Sequence, residues 1–299
     1  MSSSNTAPVN TIEHLCIIGV GLIGGSFARA VRQAGLVKRI TGCGRNIENL
    51  KKALELGVID DYSQDIKQAV KSADLIFIAT PVGSFQSVLS QIKESMKEGV
   101  IITDGGSTKS SVIEAAKAVF NEVPVNFVPG HPIAGTENSG VEASFATLYQ
   151  DHRVILTPLE QTNPDAINIV SQLWEAAGAK VVMMDAHHHD LVLAATSHLP
   201  HLLAFSLVNT LTTLDEKQEI FEYAAGGFRD FTRIASSDPA MWQDICLANK
   251  EALLEHLDHF CSDLKQLRSA LQQGDGDFLR ETFTRAKHSR DDFIANKNT

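Results

Sequence analysis

The side chain best suited to chemistry in this sequence is His131, which lies in the run PGHPIAGTENSG at residues 129–140. The run is rich in glycine and proline and has almost no apolar side chains, so we expect a rigid loop rather than the interior of a helix or strand. It follows VNFV, which predicts a strand. A neutral imidazole accepts a hydroxyl proton well, because its pKa lies near the working pH. His131 is therefore a candidate general base.

Two further loops follow predicted strands and carry polar side chains. Thr80 and Pro81 come directly after DLIFIA, and the loop DGGSTK at residues 104–109 follows VIIT. Ligands of open α/β sheets bind at the carboxyl ends of the strands, so we expect these loops to share a crevice with His131. Ser107 is the candidate polar group of the second loop. Its alternative role is to cap a helix that begins at Thr108.

The hexapeptide GVGLIG at residues 19–24 follows a predicted strand and opens a helical pattern. In this context it has the form of a dinucleotide-binding fingerprint, with a structural glycine turn as the alternative. Gly19 permits the tight turn, Gly21 lets a pyrophosphate approach the backbone, and Gly24 lets helix and strand pack closely. The N-terminus of the helix adds partial positive charge for the phosphates.

The second predicted strand ends in GCGRN at residues 42–46, without the acid that binds the ribose 2′-hydroxyl of NAD. Arg45 suits the 2′-phosphate of NADP, although an exposed loop arginine is the plainer interpretation. The predicted cofactor is therefore NAD or NADP, with the preference open. The predicted cofactor-binding residues are Gly19, Gly21, Leu22, Ile23, Gly24, Arg45, Thr80, Pro81 and Ser107.

The stretch AAGGFRDFTRIASSDPAMW contains two arginines, Arg229 and Arg233, four residues apart beside a glycine pair. Arginines next to glycines that admit a close approach suit a substrate with carboxylate groups. The alternative is a surface salt bridge to Asp230 or to a neighbouring acid.

Several histidines precede this stretch. His198 and His201 in SHLPH lie one helical turn apart, and a metal site would recruit further ligands from HHHD at residues 187–190. Polar residues at the start of a helix need no metal to explain them, so we predict no metal site.

Alternating β-type and helical patterns from residue 14 to 185 predict a doubly wound parallel sheet of Rossmann type. The remaining sequence has only helical periodicity, which predicts an all-helical C-terminal domain. The predicted division is a disordered N-terminus at 1–11, a dinucleotide-binding domain at 12–185 and a helical domain at 186–299. Helix boundaries are indicated at Asn163-Pro164, at Gly178, near Leu214, at Asp238-Pro239 and over residues 278–293. The apolar run HLLAFSLVNTL predicts a central helix, either at a dimer interface or in a monomer core.

The composition limits the possible partners and compartments. A net charge of −10 without a basic cluster argues against nucleic acid. The four cysteines have no C-x-x-C spacing, which favours free thiols in a reducing compartment, with the cytoplasm as the default. The sequence lacks a run of about 18 consecutive apolar residues, so no membrane partner is predicted.

Taken in order, HPIAGTE, TSHLPH and GGFRDFTRIASSDPAMW make the chain resemble the prephenate/arogenate (cyclohexadienyl) dehydrogenase family. The resemblance covers residues 12 to about 293. It implies a Rossmann domain joined to a helical dimerisation domain, and hence a homodimer. The implied reaction is NAD(P)-dependent oxidative decarboxylation of prephenate to 4-hydroxyphenylpyruvate, or of arogenate to tyrosine.

The resemblance also implies roles for individual residues. His131 looks like the catalytic histidine that accepts a hydrogen bond from the ring hydroxyl of the substrate, and Ser107 like the serine that orients that hydroxyl. Arg233 resembles the arginine that binds a substrate carboxylate. Glu137 and Arg229 resemble an ionic pair at the mouth of the pocket, and Asp190 an acid that supports the pocket. The remaining implied substrate-pocket residues are His201, Thr136 and Gly226.

The absence of an acid after the second strand departs from many relatives and keeps the cofactor preference open. A separate tyrosine-sensing module is not expected after the helical domain, so inhibition by tyrosine would occur at the active site. The alternatives are another two-domain β-hydroxyacid or imine reductase, and a dinucleotide-sensing dimer without catalytic activity.

Overall fold

The computed structural model describes residues 11–215 and 217–297, which form two compact units. The first unit extends to Lys250 and the second begins at Glu251. The boundary near residue 185 rests on the change of secondary structure and remains a prediction. Apart from Thr11, the predicted disordered N-terminus lies outside the described residues.

The first unit is built on a six-stranded parallel sheet with the strand order β3-β2-β1-β4-β5-β6. Its strands are β1 (Ile12–Ile18), β2 (Val37–Cys43), β3 (Asp61–Ser63), β4 (Leu75–Ile78), β5 (Ile101–Asp104) and β6 (Phe127–Val128). The chain reverses its direction of travel across the sheet between β3 and β4, so β1 pairs with both β2 and β4. Such a reversal places the ligand crevice beyond the carboxyl ends of these central strands. The predicted fold class is confirmed, although the short strand β3 was not predicted.

Three further strands form a separate sheet in the order β7-β8-β9. They are β7 (Gly130–Pro132), β8 (Arg153–Leu156) and β9 (Lys180–Met183). β7 is antiparallel to β8 and pairs His131 with Ile155, so the prediction that His131 lies in a loop is wrong. The predicted strand VNFV ends at Val128 as β6, and the chain after Pro129 joins the other sheet as β7. Pairing with the buried strand β8 compensates for the low strand propensity of the Gly-His-Pro sequence.

Six helices accompany these strands in the first part of the chain. They are α1 (Leu22–Gln33), α2 (Ile47–Glu55), α3 (Ile66–Val70), α4 (Phe85–Lys93), α5 (Ser110–Phe120) and α6 (Pro164–Ala176). The predicted ends of α6 are confirmed: the Asn163 side chain accepts a hydrogen bond from Asp165 N, and Gly178 has a φ of +88°. That left-handed backbone conformation is costly for a side chain with a Cβ.

Aromatic packing connects α1, β4 and α6 in the core. The ring of Phe27 lies 4.6 Å from that of Phe77 and 4.5 Å from that of Trp174, centroid to centroid. Tyr149 meets Trp174 edge to face at 4.9 Å, and its hydroxyl donates a 2.6 Å hydrogen bond to Ile23 O. This buried cluster fixes the position of α1, which carries the glycine motif, against the sheet.

The rest of the described chain is helical. The helices of the first unit are α7 (Ala186–Leu193), α8 (Leu199–Thr212), α9 (Lys217–Glu222), α10 (Gly226–Thr232) and α11 (Pro239–Ala248), and α12 begins at Lys250. A π-helical turn, Ala194–His198, joins α7 to α8. The second unit contains α12 (Lys250–Gln273) and α13 (Gly276–Lys297). The cap predicted at Asp238 is confirmed, since its carboxylate accepts hydrogen bonds from Ala240 N and Met241 N.

Helix α8 is strongly apolar, yet only Ala204 of its residues is buried within one chain. A core helix of a monomer would be buried on most of its surface, so the monomer-core alternative does not fit. An apolar helix that remains largely accessible in one chain is typical of a subunit interface.

The stretch Ala186–Thr212 is long and apolar enough to cross a membrane by length and composition, with a mean hydropathy of 1.6. It reaches this value as an average, because polar residues such as His187, His188 and Asp190 interrupt it and it contains no run of 18 consecutive apolar residues. The stretch also contains His189, Asp190 and His198, all buried and hydrogen bonded within the first unit. A buried carboxylate that is hydrogen bonded to the start of another helix is typical of a protein interior. We therefore infer that this stretch packs against protein and does not cross a membrane.

Candidate active site

The glycine motif has the geometry that a bound dinucleotide requires. Gly19 has a φ of +99°, in the left-handed region, and a Cβ there would collide with Ala79 O. A Cβ on Gly24 would collide with the backbone oxygen of Gly19, whereas one on Gly21 would meet nothing within 4 Å. Gly21 is also the N-cap residue of α1, and it has no side chain that could bond the first backbone N–H groups of the helix. Open space beside the first turn of a helix suits a pyrophosphate, so these residues fit the predicted cofactor.

We expect Gly24→Ala and Gly21→Ala to separate folding from cofactor binding. Gly24→Ala places its methyl group against backbone that cannot move aside, so it should lower the melting temperature and abolish binding of NAD(P). Gly21→Ala should leave the melting temperature unchanged but weaken binding of the dinucleotide about tenfold or more, because its methyl group fills the approach to the phosphates. Thermal unfolding and fluorescence titration with NAD+ and NADP+ measure both. Equal loss of stability in the two variants would contradict this assignment.

Other predicted cofactor residues lie around the same crevice. Leu22 and Ile23 are in the first turn of α1, and Thr80 and Pro81 follow β4. The hydroxyl of Thr80 accepts a 2.9 Å hydrogen bond from Ser84 Oγ. Arg45 is exposed after β2, with its backbone carbonyl bonded to Gln64, which leaves its guanidinium available to a ribose phosphate.

The loop after β4 is also attached to the helical region. Gly83 N donates a 3.2 Å hydrogen bond to the carboxylate of Asp244 in α11. A Cβ at Gly83 would lie 2.5 Å from that carboxylate, so a larger residue there would require the Asp244 side chain to move. The contact ties the loop that carries Thr80 and Pro81 to the helix that carries Trp242.

His131 lies in a connected set of polar side chains. Its Nδ1 atom is 2.9 Å from Nε2 of His189, whose Nδ1 atom is 2.8 Å from Oδ1 of Asp190. Asp190 accepts 2.8 Å hydrogen bonds from the backbone N–H groups of Lys109 and Ser110 at the start of α5. The set therefore connects β7 and α7 to the helix that follows β5.

A buried ion pair holds the strand of His131 against the end of β5. Asp104 and Lys109 are both fully buried, and the Lys109 ammonium binds the Asp104 carboxylate. Lys109 Nζ also donates a 2.6 Å hydrogen bond to Gly130 O, and Asp104 Oδ1 accepts a 3.1 Å bond from Gly130 N. Both backbone groups of the residue before His131 are thus bound by this pair.

The environment of His131 favours its neutral form. Burial lowers the pKa of His131 well below 6.5, and the neighbouring His189, Lys109 and His198 lower it further. Burial raises the pKa of Asp190, but hydrogen bonds from His189 and the start of α5 outweigh burial and leave that pKa below its usual value. A neutral imidazole can accept a proton, and the ionised carboxylate that His189 connects to it can stabilise the resulting charge.

Ser107 lies partly exposed between β5 and α5. The alternative that it caps a helix beginning at Thr108 is wrong, because α5 begins at Ser110. The start of that helix is bonded by the side chain of Asp190 from α7. Ser107 thereby remains the polar side chain of this loop that is available to a ligand.

The second group of predicted substrate residues lies around Arg233. Arg233 is 3.6 Å from the Glu137 carboxylate, and both side chains are about half exposed. In this structure Arg233, in the turn that follows α10, is the arginine that faces Glu137, and the implied pair of Glu137 with Arg229 stays a prediction. Thr136 lies next to Glu137, and its hydroxyl accepts a 3.2 Å bond from Asn138 N. Gly226 and Arg229 are exposed in α10.

His201, in α8, is connected through Trp242 to His198 of the π-helical turn. Its ring stacks on that of Trp242 at 3.6 Å, and its Nδ1 atom lies 2.9 Å from Ser197 O. The pKa of His201 is lowered overall. Burial lowers it most, the hydrogen bond with the carbonyl of Ser197 raises it, and the charge of Arg233 lowers it again. Trp242 also meets His198, which lies 3.1 Å from the Asn249 amide nitrogen.

Several side chains that hold this site together were not predicted from the sequence. His189 was seen only as a possible metal ligand or helix-start residue, and Lys109 and Asp104 only as parts of a loop. Trp242 had a signal, because it closes the motif that contains Arg233. Within residues 11–215 and 217–297, no group of three His, Cys, Asp or Glu side chains is placed to hold a metal ion. All four cysteines are free.

Comparison with known proteins identifies the family. The nucleotide-binding domain of prephenate dehydrogenase matches residues 27–183, and the dimerization domain of the same family matches residues 185–285. The cyclohexadienyl dehydrogenase of Zymomonas mobilis is 43% identical over 287 residues, covering 94% of this chain and 96% of that protein.

Solved structures agree with this assignment. The prephenate dehydrogenase of Aquifex aeolicus, in complex with hydroxyphenyl propionate and NAD+, is 37% identical with a TM-score of 0.87, and the match covers 94% of this chain and 98% of that one. The arogenate dehydrogenase of Synechocystis is 26% identical with a TM-score of 0.77 and coverages of 94% and 99%. The matching dimerisation domain supports the predicted homodimer, and the nucleotide-binding domain supports use of NAD(P). The predicted family is confirmed: this chain is an oxidoreductase that belongs to the prephenate/arogenate dehydrogenase family.

Proposed function

We propose that this enzyme oxidatively decarboxylates prephenate to 4-hydroxyphenylpyruvate, or arogenate to tyrosine, with His131 as the general base. The observation that carries this assignment is the partly buried imidazole of His131, which is hydrogen bonded to His189 and through His189 to Asp190. Burial lowers the pKa of His131 and favours its neutral form. Oxidation of a ring carbinol needs a group that takes the hydroxyl proton while the carbon loses a hydride. Loss of carbon dioxide then makes the ring aromatic.

The dinucleotide accepts the hydride when it is bound. In this proposal, the turn at Gly19, the open space beside Gly21 and the loop at Thr80 and Pro81 hold it at the carboxyl edge of the sheet. Ser107 orients the substrate hydroxyl towards His131 from the loop after β5. The chain thus binds, orients and removes one proton, and the driving force comes from aromatisation.

We further propose that Arg233 binds a carboxylate of the substrate. Its guanidinium is half exposed and its present partner is Glu137 at 3.6 Å, which is longer than a direct hydrogen bond. An incoming carboxylate can replace Glu137 through a tighter bidentate contact. His201 forms a second wall of the pocket, and Thr136, Gly226, Arg229 and the supporting Asp190 complete it.

An assay with both ring substrates tests the function directly. We expect NAD(P)H absorbance at 340 nm to rise when the purified enzyme is mixed with prephenate or arogenate and either NAD+ or NADP+, with equimolar release of carbon dioxide. The four combinations determine the substrate and cofactor preferences. Absence of turnover in all four would overturn the proposed function.

Changing Arg233→Ala should raise the substrate KM by roughly 10- to 100-fold with a much smaller change in kcat, because a carboxylate contact distant from the reacting carbon is made in both ground and transition states. Steady-state kinetics at saturating cofactor measures this change. Arg39→Ala is the matched control, since Arg39 is likewise half exposed and paired with an acid, but lies in β2. An equal loss in kcat and kcat/KM for Arg233→Ala would contradict the binding role.

Tyrosine shares the phenol and carboxylate of the products, so we propose that it inhibits by occupying the substrate pocket. Inhibition competitive with prephenate would support this.

We also propose that the enzyme acts in the cytoplasm, because its cysteines are free and two of them are buried.

A further inference from the structure

His189 has no assigned part in the reaction, although it is fully buried and contacts His131. We propose that His189 is a positioning residue that, together with Asp190, fixes the tautomer of His131 so that Nε2 accepts the substrate proton. This inference rests on the proposed role of His131 as general base. The inference is based on four hydrogen bonds that connect the start of α5 to Asp190, Asp190 to His189, and His189 to His131. The donor and the acceptor of each can be assigned, beginning at Asp190.

Asp190 is the acceptor in both of its bonds to α5, because backbone N–H groups can only donate. Its Oδ1 accepts from Lys109 N and its Oδ2 accepts from Ser110 N, both at 2.8 Å. The two bonds lie at the N-terminus of α5, where the helix dipole stabilises negative charge. Asp190 is therefore an ionised carboxylate with no proton to donate.

The next contact determines the tautomer of His189. Its Nδ1 atom lies 2.8 Å from Oδ1 of Asp190, and a carboxylate that only accepts requires the hydrogen to be on Nδ1. Burial lowers the pKa of His189, so the ring is neutral and Nε2 keeps its lone pair. Nε2 of His189 is then an acceptor.

The tautomer of His189 in turn determines that of His131. Its Nδ1 atom lies 2.9 Å from Nε2 of His189, so the hydrogen between the two rings belongs to Nδ1 of His131. The neutral ring of His131 therefore has its lone pair on Nε2, which is the state that a general base needs. When Nε2 takes the proton, the hydrogen bond from Nδ1 to His189 strengthens and stabilises the imidazolium.

The backbone that carries His189 and Asp190 is held in place as well. Asn249 is buried, and its amide nitrogen donates a 2.8 Å hydrogen bond to the carbonyl of Asp190 in α7. The rings of His131 and His189 meet edge to face, with 5.1 Å between their centroids. Neither ring can turn over without losing one of these contacts, so the tautomer is fixed by the fold.

Two substitutions of His189 distinguish this role from simple packing. In His189→Gln, the amide oxygen reaches the former Nε2 position and still accepts from His131. In His189→Asn, the shorter amide reaches only Asp190, and His131 loses its acceptor. We expect kcat to fall by about tenfold or more in His189→Asn, and to stay within about threefold of the unchanged enzyme in His189→Gln, with little change in substrate KM.

His188→Asn is the matched control, because His188 is the neighbouring exposed histidine of α7. It should leave kcat unchanged. Equal losses in His189→Asn and His189→Gln, or an unchanged kcat in His189→Asn, would overturn the proposal.

Nitrogen-15 NMR of histidine-labelled enzyme gives a readout that does not require turnover. We expect the His131 signals, assigned by their loss in His131→Asn, to show a protonated Nδ1 and a bare Nε2 at neutral pH, and to shift to a mixture of tautomers in His189→Asn. Protonated Nε2 in the unchanged enzyme would overturn the inference. If the enzyme oxidised neither ring substrate while the spectrum showed the expected tautomer, the proposed function would fail and the positioning by His189 would stand.

Discussion

Replacing His131 with asparagine should lower kcat by roughly 10²- to 10⁴-fold, the range that a general base contributes. Asparagine can still donate to His189 from the position of the former Nδ1, so the contact inside the protein is kept. What is lost is the atom that accepts the substrate proton. Because the glycine motif and the loop after β4 are unchanged, the Kd for NAD(P)+ should stay within about twofold of its original value.

The pH profile gives a second measure of the same role. Burial first, and then the neighbouring His189, Lys109 and His198, place the pKa of His131 well below 6.5. A base must be unprotonated to act, so kcat/KM should stay constant as the pH falls from neutral through 6.5, and should decline only at lower pH. An acid limb near 6.5 would indicate a base that is exposed to solvent.

His152→Asn is the control for His131→Asn, since His152 is an exposed histidine next to β8. It should change neither kcat nor the pH profile. A His131→Asn variant that keeps more than about a tenth of the original kcat would contradict the general-base assignment.

The sequence allowed the positions of the loops that follow the strands to be predicted, because that information is local. The glycine spacing of residues 19–24, the strand before each loop and the caps at Asn163 and Asp238 depend on neighbours within a few residues. The structure confirms these features. Local propensity failed at β7, where pairing with β8, more than 20 residues away, makes a strand from Gly-His-Pro.

The contacts of His131 and its neighbours join residues that are distant in sequence. His131 and His189 are 58 residues apart, and Asp190 binds the start of α5 from 80 and 81 residues away. A single sequence carries no signal for such pairs, because each residue has an ordinary explanation where it stands. Resemblance to the family indicated Asp190, but the contact of Glu137 with Arg233 became visible only in the structure.

The second large effect is expected at Lys109, which lies in the loop after β5 and is fully buried. Changing Lys109→Met should lower the free energy of unfolding by about 3–5 kcal/mol, because it leaves the Asp104 carboxylate buried without its counter-charge. Urea unfolding at a fixed protein concentration measures the loss. Lys38→Met is the control, since Lys38 forms an exposed ion pair with Glu13 and should cost about 1 kcal/mol or less.

The loss in Lys109→Met should depend on pH in a defined direction. Burial raises the pKa of the Asp104 carboxyl, and removal of the Lys109 charge takes away the strongest opposing influence. With a folded-state pKa above the unfolded value, the folded state holds the proton more tightly. Stability of the variant should therefore fall as the pH rises from the unfolded pKa to the folded pKa, and then remain constant.

The double variant Asp104→Asn with Lys109→Met separates charge from packing. Asparagine retains one acceptor for the backbone N–H groups of Gly106 and Gly130 but carries no charge. It should recover part of the lost stability and abolish the pH dependence in the acidic range. If Lys109→Met cost no more than Lys38→Met, the buried pair would not be what holds Gly130, and with it the strand of His131, against the end of β5.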